Sequence, residues 1–275
     1  MKKSILFFLF SVFIIHSAFS QITIAPTNLF IGSQSKFGTY MVINGSNENQ
    51  EVSIDFFFGY SQSDEAGNRK ISDNDSLKAR THSIAQWVKA FPKDFILAPG
   101  QRQTVRIRVN APKNLEEGTY WARIRTSSSP QAQAVELQAN DAVSARVGIK
   151  IEQVTGLYYK NGNVSTGIEI ENISPLVKEP SDLQILTTVK RTGNSPFLGT
   201  ITANLYDNNH NVVKNTFVST TVFFDDIIKQ DFDISDLPKG DYTIEVKFES
   251  KRNDISSSEI VQMPSVSKTI SYTHK

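Results

Sequence analysis

Apolar and polar residues alternate with a period of two along most of the chain. Thr104-Val-Arg-Ile-Arg-Val109 and Thr243-Ile-Glu-Val-Lys-Phe248 are the plainest cases, each placing apolar side chains on one face of an extended segment. Ile22-Thr-Ile24, Thr39-Tyr-Met-Val-Ile43 and residues 51–60 read the same way, as do residues 120–126, 165–171, 183–190, 200–206, 215–224 and 265–273. Turn-forming residues separate these runs: 44–50, Pro99-Gly100, Arg191-Thr-Gly-Asn-Ser-Pro196 and Asp207-Asn-Asn-His-Asn211. No segment has helical periodicity over a useful length, so the pattern predicts an all-β protein.

One phrase occurs twice. Leu115-Glu-Glu-Gly-Thr-Tyr-Trp121 follows the alternating strand 104–109, and Asp231-Phe-Asp-Ile-Ser-Asp-Leu-Pro-Lys-Gly-Asp-Tyr242 precedes the strand 243–248. Each copy is a strand, a tight turn, then Gly-x-Tyr leading into the next strand. Such repetition, splitting the chain roughly in half, predicts two tandem immunoglobulin-like β-sandwiches rather than one large barrel. The expected divisions are a signal peptide over 1–20, a first sandwich over 21–155 and a second over 156–275, with the junction near residues 153–156. Leu157-Tyr-Tyr159 is then the first strand of the second sandwich.

Between the strands, residues 61–80 are polar and charged, with Ala66-Gly-Asn68 as a hairpin tip. This stretch offers oxygen ligands but lacks calcium-loop spacing, and it reads as a solvated loop. Trp87, Val88, Phe91 and Phe95 return the chain to the first core, with Trp87 as a buried anchor. Residues 127–134 hold few large apolar side chains and read as a mobile link. Then Val143, Ala145, Val147, Ile149 and Ile151 alternate strictly with polar residues and glycine, making this segment the best candidate for a functional edge strand.

Lys2 and Lys3, the apolar run 5–15 and Ala18-Phe-Ser20 form a secretory signal peptide, which predicts export. No later run reaches the roughly 18 apolar residues of a membrane-spanning helix. The formal charge is +1, or about −1 without Lys2 and Lys3, so no field favours nucleic acid or anionic lipid. The chain has no cysteine, and its hydrophobic cores must do without cross-links. His82, His210 and His274 are too scattered for a metal site or a relay. No nucleophile elbow, zinc-binding helix or phosphate loop occurs, and Asp225, Asp226, Asp231, Asp233 and Asp236 alternate with apolar residues as solvent-facing strand and turn positions do. The expectation is a protein without catalytic residues, metal or cofactor.

The run Trp87-Val-Lys-Ala-Phe-Pro-Lys-Asp-Phe-Ile-Leu-Ala-Pro-Gly-Gln-Arg-Gln-Thr-Val-Arg-Ile107, followed by Leu115-Glu-Glu-Gly-Thr-Tyr-Trp121, resembles the N-terminal domain of the PapD-like periplasmic pilus-assembly chaperones, in a divergent form. The resemblance covers about residues 22–156. It implies two immunoglobulin-like domains that hold pilin-like or other secreted β-rich subunits in the periplasm, with an outer-membrane usher as a further partner. It also implies donation of the last strand of the first domain, here Val143, Ala145, Val147, Ile149 and Ile151, to a subunit lacking a strand. The family clamps the subunit's terminal carboxylate with a Lys before a Leu-Phe-Tyr-Arg-Pro-like run and an Arg on the first strand. Lys150, before Ile151-Glu-Gln-Val-Thr155, takes the place of that Lys, and Asn28 falls where the Arg stands, without its charge. The alternative is a structural or adhesive immunoglobulin-like protein of the cell envelope or cell surface that binds through loops such as 61–80.

Overall fold

The protein, as a computed structural model, is described over residues 22–131, 149–179 and 181–275. The expected signal peptide and Val143, Ala145 and Val147 lie outside the described residues. The chain forms β1 (Ile22–Ala25), β2 (Asn28–Gly32), β3 (Phe37–Asn44), β4 (Gln50–Phe57), β5 (Tyr60–Ser63), β6 (Arg69–Ser72), α1 (Ser76–His82), β7 (Val88–Phe91), β8 (Asp94–Leu97), β9 (Arg102–Val109), β10 (Gly118–Pro130) and β11 (Ile151–Asn161). One sheet of the first sandwich has the order β1-β3-β9-β7 and the other β2-β11-β10-β4-β8. Their facing apolar positions, among them Tyr40, Val42, Ile54, Val105, Ile107, Ile124 and Leu157, make one core.

The second sandwich contains β12 (Thr166–Glu179), β13 (Asp182–Gly193), β14 (Phe197–Tyr206), β15 (Val212–Val222), β16 (Asp225–Asp233), β17 (Gly240–Glu249) and β18 (Val266–His274). Sheets β12-β13-β16 and β15-β14-β17-β18 enclose Leu183, Ile185, Phe197, Ile201, Ile244 and Phe248. The repeated phrase does the same job in both sandwiches. It carries β9 into β10 and β16 into β17, and in each copy the tyrosine hydroxyl turns back onto the chain: Tyr120 donates to the Glu116 carbonyl at 3.1 Å and Tyr242 to the Pro238 carbonyl at 2.7 Å. This is the tyrosine corner of immunoglobulin-like folds.

Five expectations need correction, three of them along the strands of the first sandwich. The junction expected at 155/156 falls inside β11, which pairs with β10 from Ile151 to Asn161 without interruption, so Leu157, Tyr158 and Tyr159 close the first sandwich. Residues 127–130 are the end of β10, with Ser127 and Ser128 buried, rather than a link. Phe91 is 55% exposed, because β7 buries its alternate residues Val88 and Ala90. Trp87, by contrast, packs against the first core with its ring 6.3 Å from that of Tyr120.

Residues 61–80 are not a solvated loop. Strands β5 and β6 form a hairpin, and α1 follows, capped by the Asp75 carboxylate accepting from the Lys78 amide at 3.0 Å. No residue of α1 is buried, so it has no apolar stripe for periodicity to reveal. The hairpin straps the first sandwich to the second. Asp226 on β16, with its side chain 2% exposed, accepts from the Ser63 amide at 2.8 Å and lies 3.7 Å from the Arg69 guanidinium. Arg69 also donates to Thr220 and to the Thr221 carbonyl, and Lys229 donates to Asn68. Asp226 is thus a buried latch and not, as its alternation suggested, a solvent-facing position.

Above the strap, Phe58, Tyr60, Trp121, Tyr158, Leu198, Phe223, Ile255 and Ile260 form a third, interdomain core. The Arg191–Pro196 turn adds to it: the Thr119 amide donates to the Asn194 carbonyl at 3.0 Å and the Ser195 hydroxyl to the Thr119 hydroxyl at 2.8 Å. Removing the carboxylate in Asp226→Ala strands a buried amide and a half-buried guanidinium. We expect a loss of about 2 kcal/mol in urea unfolding, whereas an unchanged midpoint would mean that the strap does not hold the domains.

Candidate functional site

Among the described residues, the edge of the first sandwich at β11 is open from Ile151 to Thr155, directly after the alternating segment 143–151. On one side β11 pairs with β10 over its whole length. On the other, the parallel strand β2 covers only Gly156 to Lys160, so among the described residues no strand lies beside Ile151 to Thr155. The nearest closure is a side chain: the Gln153 amide donates to the Ile22 carbonyl at 2.9 Å.

The two faces of β11 have different surroundings. Odd-numbered residues face the core, where Leu157 and Tyr159 are buried. The core then closes on polar groups, the Tyr40 hydroxyl meeting Thr126 at 2.8 Å and Thr155 at 3.3 Å. Burial raises the Tyr40 pKa above its ordinary value, which keeps the hydroxyl protonated and able to donate. Beyond this plug the same face continues through Gln153 to Ile151, and Ile149, two residues before the strand, has the same parity and is 61% exposed. Val143, Ala145 and Val147 have the same odd parity and lie outside the described residues.

Lys150 sits on the opposite face, and its ammonium pairs with Glu152 at 2.8 Å with both side chains largely exposed. That contact is the main reason the Glu152 pKa is lowered. The structure does not bring Lys150 beside Asn28. Asn28 is instead in register with Gly156, which is in register with Arg123 on β10, making a row across three strands. A Cβ at residue 156 would come within 2.6 Å of Asn28 Oδ1 and 2.9 Å of the Tyr158 ring, so glycine is required by close approach.

Gly156 and Asn28 carry no charge, and the cations in and beside the row are engaged. Arg123 donates to the Gly59 carbonyl at 3.0 Å and lies over Phe223, Arg125 pairs with Asp55 at 3.5 Å, and Lys160 donates to the Glu259 carbonyl. Among the described residues no grouping of His, Asp and Glu is suited to hold a metal ion.

The row ends at the aromatic floor between the domains, where Phe30 stacks on Tyr158 at 5.0 Å. Burial pushes the Tyr158 phenol pKa up, opposed by Arg123, Arg252 and Arg69. His82, at the end of α1, packs between Trp121 and Phe224 with ring centroids 4.9 and 5.1 Å away. Burial holds its pKa below the ordinary 6.5, and the nearby charges of Arg191 and Lys78 act in the same direction. Folded His82 therefore takes up a proton less readily than the unfolded chain does. Its contribution to stability is full above pH 6.5 and is lost as pH falls through the lowered folded value. Urea midpoints measured against pH should fall less steeply below pH 6.5 for His82→Gln than for the parent, and parallel curves would contradict this assignment.

No protein-family model matches the sequence. No curated protein matches it either. Among solved structures, the chain is similar to the YadV chaperone at 10% identity and a TM-score of 0.45, over 90% of this chain and 100% of that one. A chain of the CsuC-CsuE chaperone-tip adhesion subunit pre-assembly complex, from the archaic chaperone-usher Csu pili of Acinetobacter baumannii, aligns at 12% identity and a TM-score of 0.45, over 90% and 98% of the two chains. A chain of the Salmonella enterica SafA pilin complex with the SafB chaperone aligns at 11% identity and a TM-score of 0.42, over 92% and 97%. No helix among the described residues is long and apolar enough to cross a membrane.

Proposed function

We propose that this protein is a periplasmic chaperone that holds a pilin-like or other β-rich secreted subunit by lending it the edge of β11 and the segment before it. The observation that carries this reading is the continuity of one face: core positions Tyr159 and Leu157 run on, with unchanged parity, to Ile151, the exposed Ile149 lies two residues before it, and no strand among the described residues covers this edge. Backbone groups at 151–155 would supply hydrogen bonds, while Ile149, Ile151 and, by the sequence pattern, Val143, Ala145 and Val147 would enter the subunit's groove. An outer-membrane usher is a further partner on this reading, and export by a cleaved signal peptide brings the chain to its clients.

Because Gly156 and Asn28 carry no charge, the client is held by strand pairing rather than by a charged clamp on its terminus. Lys150, tied to Glu152, serves at most as a peripheral contact for a client carboxylate. The same lack of charge at Gly156 and Asn28 favours a second reading, a structural or adhesive envelope protein with this fold and no client. The two differ in one measurement. Protein isolated from its native envelope should carry a strand-rich subunit identifiable by mass spectrometry, and Ile149→Asp should weaken that complex about 100-fold by placing a charge in an apolar groove. Isolation without a bound subunit, or a complex indifferent to Ile149→Asp, would contradict the chaperone reading.

A further inference from the structure

The five-stranded sheet has a second open edge, at β4, on the side away from β11. Strand β8 covers β4 only from Gln50 to Ser53, and the Ile54 amide donates to the Lys93 carbonyl at 3.0 Å. Beyond that point no strand lies on this side among the described residues. Since the Ile54 amide faces away from β10, the amide and carbonyl of Phe56, two residues on, face the same way into an open seam.

The seam has apolar walls and a basic rim. Two adjoining cavities of about 460 and 550 Å³ share Ala85; Phe56, Val88 and Phe91 line the first, and Phe58 and Trp87 the second. Lys89 and Lys93 also line the first and Arg80 the second, and all three are exposed. No carboxylate pairs with them among the described residues. Asp55, which also lines the first cavity, pairs with Arg125 at 3.5 Å, and Asp94, next to Lys93 in the chain, accepts from the Ser53 hydroxyl at 2.6 Å.

From the free backbone groups, apolar walls and unneutralised cations together, we propose that this seam binds an extended, acidic segment of a partner protein, added as a strand along β4 beside Phe56. Apolar side chains of the segment would fill the cavities, and acidic residues flanking them would meet Lys89, Lys93 and Arg80. Because β4 and β11 lie on opposite sides of the sheet, both edges can be occupied at once, and this inference does not depend on the reading of β11.

The test uses the full chain and a fluorescein-labelled peptide of about eleven residues, alternating valine and threonine, with two glutamates at each end. Fluorescence anisotropy should report saturable binding. Lys89→Glu combined with Lys93→Glu should weaken it about tenfold, as should methylation of alternate amides in the peptide with the protein unchanged. Ile149→Asp should leave it as it is. Absence of saturable binding, equal binding of the same peptide with lysines at its ends, or indifference to amide methylation would each overturn the proposal.

Discussion

From Thr155 to Tyr159 strand β11 is buried on both faces, with Trp121 and Ile124 of β10 buried on opposite faces beside it, and the arrangement of the two sandwiches follows from that. Ile124, Leu157 and Tyr159 point into the first core, while Trp121 and Tyr158, on the alternate positions, point out of it and bury against Phe223 of the second sandwich. Alternation therefore does two jobs on one strand pair. An immunoglobulin-like sheet with one wet face would carry polar residues at 121 and 158. The large aromatics there fix where the second domain docks, and the β5-β6 strap with its Arg69 to Asp226 contact fixes the rotation about that docking point.

Docking only part of this sheet creates the site. The aromatic floor covers its lower portion, β2 covers β11 as far as Gly156, and Ile151 to Thr155 are held in shape by the sheet with no described strand at their margin. Uncovered strand margins are usually blunted by charge, proline or a covering loop. Here Ile149 is the exposed continuation of the core face, and its polar neighbours Lys150 and Glu152 neutralise each other on the other face. Such an edge suits a transient partner that supplies both backbone groups and an apolar groove.

The strands were legible because their period is written into single residues, and the two tyrosine corners because Gly-x-Tyr repeats at corresponding points. The strap was not legible. Its contacts are polar and join residues far apart in the chain, such as Ser63 and Asp226, and nothing in a polar loop names its partner. Helix α1 announced itself only through Asp75, a cap without an amphipathic segment behind it. Gly156 misled the reading most. A glycine after an alternating strand suggests a turn, whereas here it lies mid-strand with Asn28 and Tyr158 packed over the space a side chain would need. That one position displaced the domain boundary. The open edge itself was not legible: alternation nominated Val143 to Ile151, of which only Ile149, Lys150 and Ile151 are described, and no residue pattern marks Gly156 as the point where the cover of β2 stops.

If β11 lends its edge to a subunit, its margin from Ile151 to Thr155 must be a pairing surface held ready in the free protein. Hydrogen exchange read residue by residue, on the free chain and on the complex recovered with its subunit, tests this. The outward-facing amides in this stretch should exchange rapidly when free, those shared with β10 slowly, and the outward set at least about tenfold more slowly in the complex. Outward amides already protected in the free chain, or unchanged when the subunit is bound, would contradict it.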